Sequence, residues 1–279
     1  MPELPEVETT CRGIAPWVVG RTITAVQVRD ARLRWGVQAD LGELLLGRCV
    51  SAVARRSKYL ILRTDNILRT DNGGDLIIHL GMSGRLRVLT GPVAPGRHDH
   101  FDLEFDNGHQ LRLTDPRRFG AVLWAPAGAE QHVRLLGLGP EPLTDAFDGG
   151  VLFRATRGRR MPIKQLLMDA EVVVGVGNIY ANEALFMAGI RPRTGAGRLS
   201  RLQCSRLVAA IKEVLQRAIE AGGTSFRDFV GSDGRPGYFE QSLNVYGREG
   251  EPCRTCGRAL TGLRLGGRAT VYCANCQRA

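Results

Sequence analysis

The 279-residue chain has no apolar run approaching the roughly 18 uncharged residues of a membrane-spanning helix, so nothing in it is expected to cross a bilayer. It also lacks the positively charged start and short apolar stretch of an export leader, which leaves the cytoplasm as the expected location. Lysine is scarce, and acidic residues are outnumbered: 38 Lys and Arg face 28 Asp and Glu, for a formal charge of +10 carried mostly by arginine. A planar guanidinium grips phosphate through paired hydrogen bonds, so a polyanion is the expected partner, although charge alone does not choose among DNA, RNA and anionic lipid. Repeats of solenoid period are absent as well. The one tandem copy, ILRTDNILRTDN at 61–72, reads as a strand end and turn duplicated into a longer surface loop.

What is present points to an α+β multidomain chain, with 43% hydrophobic residues to fill its cores. Residues 5–19 set Val7, Cys11, Ile14 and Val18 on one helical face, and Gly20 follows as a stop. From 22 to 125 the pattern changes to short β-type runs (TITAVQV, YLILR, DLIIHL, FDLEF, QLRLT, AVLWA) split by turn residues, which reads as a sandwich or a barrel. A stretch rich in Gly, Pro and acids then serves as a linker. Beyond it a long helix is expected from Ser200 to Ala221: Ser200 and Gln203 form a capping box, and Leu207, Ile211, Val214, Leu215 and Ala218 make an apolar stripe before Gly222. The expected divisions are a β-sandwich domain at 1–130, a linker at 131–150, a mainly helical domain at 151–240 and a cysteine-bearing tail at 241–279.

Seven cysteines cannot all pair. Cys11, Cys49 and Cys204 stand singly in apolar surroundings as reduced core residues, whereas Cys253, Cys256, Cys273 and Cys276 form two C-x2-C pairs with sixteen residues between them. Two such turns present four thiolates in a tetrahedron, which suits one structural zinc ion better than two disulfides in a chain without a leader. Four sulfur ligands leave no open position, so the metal folds a hairpin rather than catalysing. That hairpin carries Arg264 and Arg268.

The chain opens MPELPEVE. Pro2 is small enough for Met1 to be removed, which exposes a secondary amine able to form an iminium with a carbon that bears a leaving group, and Glu3 beside it can shuttle protons. The same residues also suit the first turn of an ordinary helix.

MPELPEVE, HLGMSG at 79–84, TDPRRFG at 114–120, VVVGVGNIYANE at 172–183, SDGRPGYF at 232–239 and the four-cysteine tail, in this order over nearly the whole length, resemble the bacterial formamidopyrimidine-DNA glycosylase family. The resemblance implies an N-terminal β-sandwich with an N-terminal helix, a helix-two-turns-helix domain and a C-terminal zinc-finger β-hairpin, with double-stranded DNA in a basic cleft. It implies excision of oxidised purines, chiefly 8-oxoguanine opposite cytosine and formamidopyrimidines, then strand cleavage by β,δ-elimination at the abasic site. In that reading Pro2 is the nucleophile at C1′ and Glu3 the proton donor. Met82, Arg117 and Phe119 fill the void left by the extruded base. Lys58 contacts phosphate and assists elimination, Asn178 binds backbone phosphate, and Arg268 grips the phosphates beside the lesion. His98 and Arg159 match further DNA contacts, while Glu6, Thr224 and Tyr238 fall at the base pocket and its closing loop.

The GVGN stretch within 172–183 is not read as a dinucleotide loop, because it lacks a third glycine and follows no βαβ pattern. Two rivals stand beside the main reading. An endonuclease VIII-like glycosylase would act on oxidised pyrimidines, but its usual opening has Gly where this chain has Leu4. A noncatalytic DNA-binding zinc protein would have no use for a free Pro2. A monomer working at the bacterial nucleoid is expected.

Overall fold

The computed structural model describes residues 2–65, 73–91, 93–126, 128–223 and 242–278. They fall into two compact units, one of residues 2–136 with 221–223 and the other of 137–220 with 242–278.

In the first unit, helix α1 (Leu4–Val18) buries the stripe of Val7, Cys11, Ile14 and Val18 against β2, β3 and β5. The strands are β1 (Ile23–Val28), β2 (Cys49–Arg56), β3 (Tyr59–Asp65), β4 (Gly74–His79), β5 (Arg85–Thr90), β6 (Asp99–Phe105), β7 (His109–Thr114) and β8 (Ala121–Ala125), with a short helix α2 (Leu41–Leu45) after β1. Among the described residues they form two antiparallel sheets, ordered β1-β6-β7-β5 and β2-β3-β4-β8. An isolated bridge, Thr22 to Cys49, is the pairing recorded between them, so the unit is a sandwich and not a barrel. Its core joins Leu60, Leu62, Leu76 and Ile78 of one sheet to Phe101, Leu103, Leu111 and Leu113 of the other and to the α1 stripe. Burying such side chains contributes about 1.5–3 kcal/mol each. Cys11 belongs to this core, and its burial pushes the thiol up to about 12, which keeps it protonated.

Strands β2 and β5 are not among the runs that stand out in the sequence. Arg55, Arg56, Arg85 and Arg87 interrupt their apolar pattern, and only pairing with β3 and β7 marks them as strands. The first five residues of the duplication, 61–65, complete β3. Thr64 is buried there, and its hydroxyl donates to the Gly74 carbonyl at 2.7 Å. The rest of the duplication, residues 66–72, lies outside the described residues.

The second unit holds α3 (Gly149–Thr156), α4 (Ile163–Leu167), α5 (Asn178–Met187), α6 (Arg201–Glu220) and a hairpin of β9 (Thr261–Leu265) and β10 (Arg268–Tyr272). The α6 capping box forms as expected: the Ser200 N–H donates to Gln203 Oε1 at 2.9 Å, and the Gln203 N–H donates to Ser200 Oγ at 3.2 Å. Gly266 and Gly267, at φ +54° and +74°, make the two-residue turn of the hairpin, where both central residues need the left-handed region.

The hairpin and its lead-in are bonded to the helices. Glu183 of α5 is 1% exposed; its Oε1 accepts the Val245 and Tyr246 N–H groups, both at 2.9 Å, and its Oε2 accepts the Asn244 N–H at 2.8 Å. Asn182 Oδ1 takes the Val271 N–H at 3.0 Å, and Lys164 Nζ donates to Thr270 Oγ1 at 2.7 Å. No helix among the described residues is long and apolar enough to cross a membrane.

Candidate nucleic-acid interface

At the start of α1, Pro2, Glu3 and Glu6 are all buried. The Glu6 carboxylate reaches back to accept the Glu3 backbone N–H at 2.8 Å. This is one half of a capping box, and it fixes the peptide that joins Pro2 to Glu3. One turn on, Glu8 accepts Arg12 at 2.8 Å and Arg55 at 2.9 Å, and Arg55 also donates to the Ser57 carbonyl at 3.0 Å. Burial pushes the Glu8 carboxyl up, but the hydrogen bonds from Arg12 and Arg55 outweigh it and hold the group below its ordinary value. Arg55 thereby ties the first turns of α1 to the β2–β3 turn, where Ser57 has φ +55° and Lys58 follows, half-buried. Lys58 is thus part of a turn and not a solvated lysine on a strand edge.

The HLGMSG and TDPRRFG segments come together beyond β4 and β7. His79 ends β4, and its Nδ1 accepts the Gly81 N–H at 3.0 Å. Burial, with the charges of Lys58 and Arg34, pushes the His79 imidazole down to about 4, so it is neutral at pH 7. Gly81, at φ +62°, lies so close to the other loop that a Cβ would stand 2.4 Å from the Phe119 carbonyl carbon. Only glycine fits there.

Met82 is 38% and Phe119 43% exposed, and the Arg117 guanidinium stands 4.8 Å from the Phe119 ring centre. Read without any resemblance, a methionine and a phenylalanine belong in a core or a strand. The structure instead leaves both in solvent, on the rim of a concavity of about 560 Å³ lined also by Arg34, His79, Gly81 and Arg118. Nothing in the sequence marks Arg34 or Arg118. Arg118 sits at φ +56°, a sparsely populated region for a side-chain-bearing residue, and pairs with Asp30 at 3.1 Å. A lone arginine in an arginine-rich chain carries no signal for this. His98 is half-buried nearby, and its carbonyl accepts the Asp115 N–H at 2.9 Å.

In the second unit, Asn178 opens α5, where the first-turn N–H groups and the helix dipole favour an anion. Its Nδ2 donates to the Ala269 carbonyl at 3.1 Å, and Lys164 Nζ donates to the same carbonyl at 2.9 Å. Asn178 is therefore held beside the residue that follows Arg268, and Arg268 itself is exposed at the start of β10. Lys164 is buried, and the sequence carries no sign of its role because that role depends on a hairpin a hundred residues away. Arg159 lies apart from this pair, with Arg160 and Arg198 around a concavity of about 700 Å³.

The four clustered cysteines converge, with all their Sγ atoms within 4.8 Å of one another. Cys253 and Cys276 are separated by 4.0 Å and Cys256 and Cys273 by 3.5 Å, far longer than a disulfide. Zn–S bonds of about 2.3 Å in a tetrahedron require sulfur separations near 3.8 Å, so the residues fit a zinc ion. Of the residues assigned to the base pocket, Glu6 is placed as the anchor of the Glu3 N–H, and a Cβ on Gly223 would lie 3.4 Å from its side chain. Thr224 and Tyr238 lie outside the described residues.

Sequence models described as the formamidopyrimidine-DNA glycosylase N-terminal domain, its H2TH domain, and the zinc finger found in FPG and IleRS match residues 1–122, 138–230 and 250–279. The formamidopyrimidine-DNA glycosylase of Stenotrophomonas maltophilia (strain K279a) is 55% identical over 278 residues, covering all of both chains. The crystal structure of the MutM (Fpg) protein from Thermus thermophilus superposes with a TM-score of 0.86 at 40% identity, over 99% of this chain and 98% of that one. The wild-type Lactococcus lactis Fpg, solved in complex with a DNA containing N7-benzyl-Fapy-dG, gives a TM-score of 0.89 at 33% identity over the full length of both; it has also been solved with abasic-site DNA.

Proposed function

The chain belongs to the formamidopyrimidine-DNA glycosylase family, and on that premise we propose how its residues divide the work of removing an oxidised purine from DNA. It is a base-excision-repair DNA glycosylase for oxidised purines that also cleaves the strand at abasic sites. Its C-terminal cysteines hold one structural zinc ion.

The observation that carries the division of labour is the pair of large apolar side chains, Met82 and Phe119, held in solvent beside Arg117. A base inside a duplex cannot be reached, so it must turn out of the stack, and the unstacking costs a few kcal/mol. Met82 and Phe119 fill the vacated space, and Arg117 hydrogen-bonds the orphaned cytosine. With Met1 removed, the Pro2 amine attacks C1′ of the extruded nucleotide. The N–C1′ bond forms as the glycosidic bond breaks, the sugar ring opens, and Glu3 supplies the proton for ring opening. The resulting iminium acidifies C2′, whose proton is lost as the 3′ phosphate leaves; the conjugated iminium then acidifies C4′, whose proton is lost as the 5′ phosphate leaves. Glu6, which fixes the Pro2–Glu3 peptide, keeps the amine aimed.

Lys58 contacts phosphate near the reacting sugar and assists the eliminations. Asn178 and Arg268, held together through the Ala269 carbonyl, grip the flanking phosphates. A guanidinium hardly loses its proton, so Arg268 acts by charge stabilisation and not as a general acid. His98 and Arg159 add backbone contacts. Gly223 abuts Glu6, and Thr224 and Tyr238 are assigned to the base pocket by the family resemblance alone. A single chain carries every group this needs, and its substrate implies work at the nucleoid. We divide the domains at 1–130, 131–150, 151–240 and 241–279.

Borohydride reduction with a duplex carrying 8-oxoguanine opposite cytosine tests this directly. A covalent protein–DNA adduct mapping to Pro2 is expected, and protein that retains Met1 should form none. Tight binding without an adduct would leave only a noncatalytic zinc protein, and preferential trapping on thymine glycol duplex would favour the endonuclease VIII-like reading.

A further inference from the structure

The carboxylate of Asp115 is wholly buried at the foot of the two loops that carry Met82, Arg117 and Phe119, and the chemistry above does not use it. Its Oδ1 accepts the Ser83 hydroxyl at 2.8 Å and the Arg117 backbone N–H at 3.3 Å, while its Oδ2 accepts the Gly120 N–H at 2.7 Å. Its own backbone is held as firmly: the carbonyl accepts His100 Nε2 at 2.9 Å and the Arg118 N–H at 3.2 Å. One carboxylate thus bonds the residue after Met82 on the first loop, and on the second both Arg117 and the residue after Phe119. Between the loops Gly81 leaves no room for a side chain against the Phe119 backbone. Three hydrogen bonds converging on one buried carboxylate fix it and its donors relative to one another.

We propose that Asp115 is a positioning residue for base extrusion: its carboxylate locks the 79–84 and 115–120 loops into one platform, so that Met82 and Phe119 enter the duplex together and Arg117 arrives at a fixed height beside the unpaired base. The proposal rests on the wedge reading above. Loops hinged separately would yield as the duplex resists unstacking; loops sharing a buried carboxylate do not. Asp115→Asn disturbs this locally, because the amide nitrogen can face the Ser83 hydroxyl, which turns to accept, while the Arg117 N–H loses its acceptor. Ser83→Ala removes one tie and leaves the carboxylate and both N–H contacts.

The test is single-turnover excision of 8-oxoguanine opposite cytosine, set against cleavage of an abasic site, which has no base to extrude. The ratio of the two rates should fall about tenfold in Asp115→Asn and about threefold in Ser83→Ala, as loss of reactive geometry does. A 2-aminopurine beside the lesion should report slower unstacking. Adding Asp115→Asn to Met82→Ala/Phe119→Ala should lower the ratio less than about twofold further, since no wedge remains to be positioned.

Equal losses on both substrates, unchanged 2-aminopurine kinetics or full additivity would reduce Asp115 to a support of the fold. If Asp115→Asn does not fold, Ser83→Ala decides by the same ratio. Wedge variants with a normal ratio would sink the wedge reading itself, whereas impaired wedge variants beside a normal Asp115→Asn and Ser83→Ala would sink only the role of Asp115.

Discussion

The loop pair at 79–84 and 115–120 and the hairpin of β9 and β10 both hold side chains out in solvent on short turns, but what lies beneath them differs. Under the loop pair is the full sandwich core, and Leu80 and Leu86 root the first loop in it. Under the hairpin is a small cluster of Val245, Leu260, Val271 and two of the cysteines. The loops need only hydrogen bonds to stay in place, because the strands that feed them are already fixed. The hairpin lacks apolar area of its own, so it depends on metal bonds and on buried polar anchors from the helices. Where a core is large, carboxylates can position; where it is small, something stronger than burial must.

Metal removal should separate the two regions most sharply. Structural zinc in small fingers contributes about 10–16 kcal/mol of apparent binding energy, so chelation or Cys273→Ser should unfold the hairpin while the sandwich stays folded. Hydrogen exchange at Val271 and Val122 reads both at once, and zinc analysis should return about one ion per chain before treatment. Protection of Val271 that survives chelation would contradict the contrast.

Next in size is Glu183→Ala, which strands the Asn244, Val245 and Tyr246 N–H groups and should cost about 3 kcal/mol or more. The loss should appear in the denaturation of the second unit, together with weaker zinc retention. A cost confined to the range of ordinary surface substitutions would mean that the metal alone seats the hairpin.

A smaller effect belongs to the first unit and depends on pH. The unfolded chain takes up a proton at His79 near pH 6.5, whereas the folded protein resists to about 4 because of burial, Lys58 and Arg34. The unfolded state therefore binds more protons in that window, and stability should fall with pH from about 6.5 toward 4, by at most about 1.4 kcal/mol per unit. His79→Gln should flatten this part of the profile. Glu8, whose carboxyl is held low, acts only below its ordinary value near 4.5, so its contribution is lost at more acidic pH and is distinguishable.

The smallest stability change is expected for Met82→Ala and Phe119→Ala, within about 0.5 kcal/mol, because neither side chain is in a core. Excision of 8-oxoguanine should nevertheless drop. A large loss of thermal stability would return both residues to a structural role.

The elements legible in the sequence are those whose pattern is local. The α1 stripe, the α6 capping box and the six apolar runs each satisfy themselves within a few residues of chain, and so does the C-x2-C spacing. Strands β2 and β5 were not legible because arginines interrupt them, and their strand character comes from partners elsewhere in the sheets. The same holds for Asp115, Glu183 and Lys164. Each looks like a surface charge until a segment distant in sequence supplies its hydrogen bonds. Arg118 and Arg34, which line the concavity beside Met82 and Phe119, are equally hidden among many arginines.

By itself, then, the sequence determined the class of chemistry. A proline directly after Met1, four cysteines at fixed spacing and an excess of guanidinium are properties of residues and short motifs, and folding only places them. The tertiary structure decided which side chains stay out of the core. Met82 and Phe119 are as apolar as Leu80 and Phe101, and no periodicity separates them. What does is a pair of loops drawn so close that Gly81 has no room for a side chain, with a buried carboxylate beneath that satisfies both loops at once.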